Sequence, residues 1–151
     1  MTTDSTDAPR IPIRTQAREK ALQFLFGLDF TRYPWEDELE IFWEDNPAEA
    51  GVRRYADKLI KGVSENLDPL DELVQQALEH WNPDRVGYIE RSILRIAAFE
   101  MRFMDNVPNA VAINEAIELA KRFGGDEAPR FINGVLDRLK RHVPDEAGPE
   151  K

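Results

Sequence analysis

Two glutamates, Glu115 and Glu118, have the spacing in this sequence that best suits acid–base chemistry. Three residues apart, they occupy neighbouring positions on one face of a helix, where one carboxyl group could donate a proton and the other accept one. Glu118 also has Lys121 and Arg122 at i+3 and i+4, the spacing at which helical ion pairs form. No histidine or cysteine lies beside them to complete a catalytic set. Glu118 is therefore expected to form a helical ion pair, and no catalytic residue is predicted.

Other catalytic and metal chemistries lack the residues that they need. The chain has no cysteine, which excludes a disulfide framework, a thiolate metal site and a cysteine nucleophile. Its two histidines, His80 and His142, lie far apart in the sequence, which argues against a zinc site. The glycine pair 124–125 follows no predicted strand and lacks the Gly-Lys-Ser/Thr of a phosphate loop. We therefore expect no metal, no cofactor and no enzymatic activity, and the sequence is typical of a binding module.

Basic residues gather at the two ends of the chain, although the formal net charge is −9. That net charge argues against a protein that coats nucleic acid indiscriminately. Residues 31–50 carry one basic and seven acidic residues, whereas residues 10–30 carry four basic and two acidic, and residues 121–142 six basic and three acidic. The two basic regions can therefore contact an anionic partner, although cations such as Arg14 and Arg18 are equally compatible with a solvated helix.

The sequence has no segment typical of a membrane protein. No apolar run approaches the roughly 18 residues that a membrane span needs, and the acidic, polar N-terminus differs from a signal peptide. Together with the absence of cysteine, this favours a cytoplasmic location and no membrane partner. We predict that residues 1–12 form a disordered tail and that residues 144–151 form a flexible tail.

Apolar residues recur at helical spacing along most of the chain, and no segment alternates with the period of two that a half-buried strand shows. The segment from Tyr88 to Met104 is apolar on two sides, which is typical of a helix at the centre of a bundle. We therefore predict an all-α helical bundle of about seven helices. The predicted helices are 14–30, 35–43, 46–66, 68–81, 88–104, 109–123 and 131–139.

Several residues are given local structural roles by their positions. Asn109 is expected to cap its helix, and the glycine pair 124–125 to end that helix in the left-handed conformation. Gly134 lies in an apolar stripe, where a glycine costs about 1 kcal/mol relative to alanine. It is therefore expected to permit the close approach of another helix. Arg95 and Glu100 are expected to form semi-buried salt bridges.

Two segments near the C-terminal end form a specific combination, Val111-Ala-Ile-Asn-Glu-Ala-Ile-Glu-Leu-Ala-Lys121 and Phe131-Ile-Asn-Gly-Val-Leu-Asp137. They are supported by Val107-Pro108, Phe123-Gly124, Glu90-Arg91-Ser92-Ile-Leu-Arg95-Ile-Ala-Ala-Phe-Glu100 and Ala17-Arg18-Glu19 with Ala21-Leu22. Together these stretches resemble the signature of the NusB transcription antitermination factors. The resemblance extends from about Arg14 to Leu139.

The resemblance implies a fold, a function and a set of partners. The fold is a NusB-like helical domain over residues 13–143, with two three-helix lobes at about 13–80 and 81–143. The function is transcription antitermination without catalysis, in which the protein binds single-stranded boxA RNA of ribosomal RNA operons together with NusE, a ribosomal small-subunit protein. The RNA polymerase elongation complex and other Nus factors are the further partners that it implies.

The resemblance also implies site residues, carried over by position. The RNA surface of the family lies at the start of the first helix and at the turn before the last helix, and its NusE surface involves the middle helices. The RNA-binding residues are then Arg14, Gln16, Arg18, Glu127, Arg130 and Phe131, and the partner-binding residues are Trp81, Arg85 and Glu90. The chemistry fits, because single-stranded RNA needs cations for phosphates and aromatic or amide groups for bases. The helical phase of Phe131 equally suits the core.

One departure from the family pattern bears on affinity. Thr15 and Gln16 interrupt the arginine cluster that family members often carry at this point. Removing one phosphate contact lowers the slope of log affinity against log salt concentration by roughly 0.7 for a single strand. We therefore expect this protein to bind RNA weakly alone and to need NusE.

A second interpretation is a NusB-fold protein–protein adaptor, with a possible homodimer and no RNA role. Trp35, Phe42 and Trp43 would support this interpretation if they failed to reach the core and were exposed. The sequence leaves open the oligomeric state and the RNA sequence preferred.

Overall fold

The regular structure of this protein is helical throughout the part of the chain that the structure describes. A computed structural model describes residues 10–82, 84 and 86–143. The helices are α1 (Ile13–Leu28), α2 (Trp35–Asp45), α3 (Ala50–Glu65), α4 (Leu67–Ala77), α5 (Tyr88–Phe103), α6 (Asn109–Phe123) and α7 (Ala128–Leu139), and a 3₁₀ turn follows at Lys140–His142. Over these described ranges, the all-α prediction and its number of helices are confirmed. Within these ranges no helix has both the length and the apolar character to cross a membrane.

Helix α5 is the centre of the bundle, as its two-sided apolar pattern predicted. It packs against α1, α3, α4, α6 and α7. Ile93, Leu94 and Ile96 are fully buried along it. Burying a side chain of this size contributes roughly 1.5–3 kcal/mol, so the faces of α5 hold the other helices in place. Those helices include the ends of the chain that carry the predicted RNA-binding residues.

The predicted start of α3 was wrong by several residues. The Asn46-Pro47 pair was expected to cap it, but the helix begins at Ala50. The Asn46 side chain instead donates a hydrogen bond, 3.0 Å long, to the carbonyl oxygen of Phe42, and so closes the preceding helix. The predicted end of α4 was also wrong. The helix ends at Ala77 rather than near residue 81, because residues 78–80 form a turn.

The expected roles of two residues at the ends of α6 were also wrong. Gly124 is extended, with φ −99° and ψ −179°, rather than left-handed. A Cβ at Gly124 would lie 2.6 Å from the Cβ of Ala128, so this glycine permits a close approach of the chain at the start of α7. Asn109 is the first residue of α6 rather than its N-cap, which is Pro108, and it is buried. Its side-chain amide donates to the carbonyl oxygen of Val143 at 3.0 Å and fastens the end of the described chain to α6.

The three aromatic residues of α2 turn inward. Trp43 is buried, and its indole nitrogen donates a 2.8 Å hydrogen bond to Asp57. Trp35 and Phe42 are half-buried against the same core. These residues therefore do not form the exposed apolar surface that would have supported the adaptor interpretation.

Most of the predicted tails, residues 1–12 and 144–151, falls outside the described residues. Residues 10–12 are described and precede α1 without helical structure. The division into lobes near residue 80 stays a prediction, and α5 contacts helices on both sides of that boundary.

Two glycines inside helices provide a matched test of the packing around α5. A Cβ at Gly62 in α3 would overlap the ring of Phe99, whereas a Cβ at Gly27 in α1 would meet nothing within 4 Å. We expect Gly62→Ala to destabilise the fold by about 1–3 kcal/mol through overpacking. Gly27→Ala should stabilise it by about 0.5–1 kcal/mol through helix propensity. Urea unfolding followed by circular dichroism measures both, and equal stability of the two variants would contradict this packing.

Candidate nucleic-acid interface

The first helix carries three of the predicted RNA-binding residues, and the structure separates them. The side chain of Arg18 is only 4% exposed. Its Nε donates to both carboxylate oxygens of Glu100, at 3.1 and 2.9 Å, and its Nη1 lies 3.2 Å from Glu115. Arg18 therefore lies inside the protein and presents no cation to a bound strand. Its place is structural, and it positions the start of α1.

Glu100 is the centre of a buried polar network that joins four helices. The Tyr55 hydroxyl on α3 donates to it at 2.5 Å, and Thr15 on α1 donates to the neighbouring Glu115 on α6 at 2.9 Å. Burial raises the pKa of Glu100 above its usual value, and the Arg18 guanidinium and the Tyr55 hydroxyl oppose that rise. The predicted ion pair of Glu100 is confirmed, but it is fully buried rather than semi-buried.

The predicted ion pair of Arg95 is confirmed as a partly buried one. Its guanidinium donates to both oxygens of Asp71 on α4, from Nε at 2.8 Å and from Nη2 at 3.1 Å. This two-pronged geometry fixes α4 against α5.

Arg14 is the one exposed cation among the three predicted residues of α1. Its Cζ lies 4.8 Å from the centre of the Tyr55 ring, within the range of a cation–π contact. Gln16 is half-buried, and its amide donates to the carbonyl oxygen of Ile11 at 2.8 Å. At the start of α1, a ligand can therefore contact the guanidinium of Arg14 and the amide of Gln16, which already donates one hydrogen bond.

The turn between α6 and α7 brings predicted RNA-binding and partner-binding residues to the same place. Glu127 and Arg130 are exposed, whereas Phe131 is half-buried. The Phe131 ring meets Trp81 edge to face, with ring centres 6.0 Å apart. A cavity of about 280 Å³ is lined by Trp81, Phe131, Glu127 and Glu90. Aromatic rings beside carboxylate acceptors can hold a base through its face and its exocyclic amine.

Arg85, the remaining partner-binding residue, lies outside the described residues. Gly134 permits a close approach, as expected, but of a side chain rather than of a helix. A Cβ at Gly134 would lie 3.3 Å from the ring of Trp81, so the glycine helps to hold Trp81 beside Phe131.

The two glutamates that suited acid–base chemistry are ion-paired. Glu118 lies 3.1 Å from Lys121, which confirms the i+3 pair. Arg122 pairs with Glu19 on α1 instead of with Glu118. Glu115 is held by Thr15 and Arg18, as described above. Over the described ranges, no group of three or more histidine, cysteine, aspartate or glutamate side chains has the arrangement of a metal site.

A cluster of exposed aromatic residues escaped the sequence-based interpretation. Phe30 is 62% exposed and Tyr88 55% exposed, and their ring centres lie 5.0 Å apart. Phe26 extends the cluster, with its ring centre 5.2 Å from that of Phe30. Tyr88 is distant in sequence from Phe26 and Phe30, and Phe30 follows the end of α1. The sequence gives one indication of this cluster, which is the presence of large aromatic residues at helix ends.

Comparisons with known proteins give one consistent result. The model of the NusB family matches residues 15–141. A transcription antitermination protein NusB of Desulfotalea psychrophila is 45% identical over 134 residues, which cover 85% of this chain and 95% of that protein. The structure of Thermotoga maritima NusB is 34% identical with a TM-score of 0.78, covering 92% of this chain and 98% of that one. A NusB chain crystallised with NusE and double-stranded RNA shares the fold at 24% identity and a TM-score of 0.78, covering 89% of this chain and 100% of that one.

The buried ion pair predicts that the two arginines of α1 differ in their effect on stability. Arg18→Ala should lower the free energy of unfolding by about 3–5 kcal/mol, because it leaves Glu100 buried without its cation. Arg14→Ala should change it by less than about 0.5 kcal/mol, because Arg14 is exposed. Chemical denaturation measures both variants. An Arg18→Ala protein as stable as the unsubstituted chain would show that the pair is not a structural constraint.

Proposed function

The chain belongs to the NusB family, and from that premise we propose that it is an RNA-binding transcription antitermination factor. It binds boxA-type single-stranded RNA of ribosomal RNA operons together with NusE. The observation that carries this proposal is the position of its exposed cations. Arg14 at the start of α1 and Arg130 at the start of α7 are exposed at the two places where the family resemblance puts the RNA surface. The role is binding, without catalysis, and its location is the cytoplasm.

In the proposed RNA surface, some residues contact phosphates and others contact bases. Arg14 and Arg130 attract phosphates, and the amide of Gln16 can exchange its hydrogen bond for one to a base or a sugar. Phe131 and Glu127, which line the same cavity, receive a base. Arg18 is not part of this surface, because its side chain is buried; it contributes by holding α1 in position. With few exposed cations on α1, the phosphate contribution of that helix is small, and we expect binding by the protein alone to be weak.

The proposed NusE surface combines the predicted residues with the exposed aromatic cluster. Glu90 lies two residues after Tyr88 at the start of α5, and Trp81 shares a cavity with Glu90. Exposed aromatic residues are enriched at the centres of protein interfaces. Because this surface and the RNA surface meet at the Trp81 and Phe131 rings, a partner on one side can favour RNA on the other. RNA polymerase and other Nus factors complete the assembly.

The adaptor, or homodimer, is the second candidate function, and the aromatic cluster of Phe30 and Tyr88 is the observation that favours it. Such a cluster suits any protein partner, including a second copy of the chain. It does not require RNA, so the two candidates differ in what the replacement of Arg14 does.

Replacement of Arg14 tests the RNA function. Arg14→Ala should lower the slope of log affinity against log salt concentration by roughly 0.7, measured by fluorescence anisotropy with labelled boxA-type RNA. NusE affinity should not change, because Arg14 lies away from the aromatic cluster. Arg32→Ala is the matched control, since it removes an exposed arginine beyond the opposite end of α1. A salt slope that is the same for both variants would favour the adaptor.

Replacement of Phe30 tests the partner surface. Phe30→Ser should weaken NusE binding at least tenfold, because a central aromatic residue of an interface often contributes about 2 kcal/mol or more. Affinity for RNA in the absence of NusE should stay the same. Phe103→Ser, an exposed phenylalanine at the other end of α5, is the control. Isothermal titration calorimetry with NusE measures both, and equal losses of affinity would place the NusE surface elsewhere.

A further inference from the structure

Helix α3 presents a row of basic side chains beside the start of α1. Arg54, Lys58 and Lys61 follow one another at i, i+4 and i+7 and are all exposed. The first two line a groove of about 420 Å³ together with Arg14. The remaining lining of this groove is Ile13, Gly51 and Tyr55.

The groove cations are not neutralised by neighbouring carboxylates. The carboxylates near this end of α3 belong to other pairs: Glu49 lies 3.5 Å from Arg10, and Asp57 lies 3.9 Å from Arg53. Within the described part of the chain, Arg14, Arg54 and Lys58 form no ion pair. An anion entering the groove therefore meets three cations and no carboxylate in its lining.

The groove on the other side of α1 has the opposite character. It lies between α1 and α6, has a volume of about 200 Å³, and is lined by Glu19, Glu115 and Glu118 with Arg122 as its cation. That arginine is already paired with Glu19. At physiological salt, charges interact over roughly 8–10 Å, so a phosphate beside Arg14 is attracted toward α3 and repelled from the groove of α6.

The orientation of Arg14 agrees with this difference. Its guanidinium lies over the Tyr55 ring of α3, 4.8 Å from the ring centre. The Tyr55 hydroxyl is bound to Glu100, which also holds Arg18. The buried network therefore fixes the ring on which Arg14 rests. Arg14 is oriented toward α3 before any ligand binds, which lowers the entropic cost of binding a phosphate there.

We propose that an RNA strand bound at Arg14 continues across α3 in the groove of Arg14, Arg54 and Lys58, and does not follow the groove between α1 and α6. Arg54 and Lys58 are one helical turn apart, with Cβ atoms separated by about 5–6 Å, so each holds a separate phosphate. This inference rests on the proposed function and names the residues that take the place of an arginine cluster on α1.

The double variant Arg54→Ala/Lys58→Ala tests the path of the strand. Labelled boxA-type RNA, carrying several extra nucleotides at both ends, is titrated in the presence of NusE over a range of salt concentrations. The salt slope should fall by about 1.4, roughly 0.7 for each phosphate contact. Arg122→Ala, in the other groove, and Arg32→Ala should leave the slope unchanged. Circular dichroism should show an unchanged fold, because Arg54 and Lys58 are exposed. A charge reversal, Arg54→Glu/Lys58→Glu, should weaken binding further.

The outcomes separate this inference from the proposed function. If the unsubstituted protein with NusE binds no boxA-type RNA, both are overturned. If Arg14→Ala weakens binding but Arg54→Ala/Lys58→Ala matches Arg32→Ala, only the path across α3 is overturned. A fall in slope for Arg122→Ala would instead place the strand between α1 and α6. Loss of NusE binding by the α3 variant, with RNA binding intact, would assign the groove to the protein partner and overturn the inference.

Discussion

The buried ion pair between Arg18 and Glu100 is the constraint on which the predicted RNA-binding end of this protein depends. Removing two charges from water is costly, and the attraction between them offsets that cost only with good geometry and additional hydrogen bonds. The Tyr55 hydroxyl and Glu115 supply those additional partners. The network fixes α1 against α3, α5 and α6. It also commits one of the arginines of α1 to the interior, so the exposed cation at this end of α1 is Arg14.

Much of the fold was readable from the sequence because it follows local periodicity. The two-sided apolar pattern of α5 predicted its central position, and the i+3 spacing of Glu118 and Lys121 predicted their ion pair. Helix ends were less predictable. At Asn46 a side chain closes the preceding helix where it was expected to open the next one. Position 124 suits a glycine because a Cβ there would lie too close to Ala128, and not because the backbone is left-handed.

The candidate site was less predictable because its contacts join residues that are distant in sequence. Arg18 finds its partner 82 residues away, and no local pattern shows that this arginine is buried while Arg14 is exposed. Trp81, in the segment after α4, meets Phe131 on α7 only in the folded structure. The family resemblance pointed to the start of α1 and to the turn before α7, and it assigned the cations of α1 by position alone. The basic row of α3 was not anticipated, because its relation to Arg14 exists only after α1 and α3 pack together.

The most direct test of the central claim is the affinity of the unsubstituted protein for labelled boxA-type RNA and for a scrambled RNA of equal length. Fluorescence anisotropy would be measured with and without NusE at two salt concentrations. We predict weak, salt-sensitive binding by the protein alone, and tighter binding with NusE that prefers boxA over the scrambled sequence. Tight binding that is unchanged by NusE would contradict the dependence on a partner. The absence of any anisotropy change at saturating protein, with and without NusE, would contradict the RNA function itself.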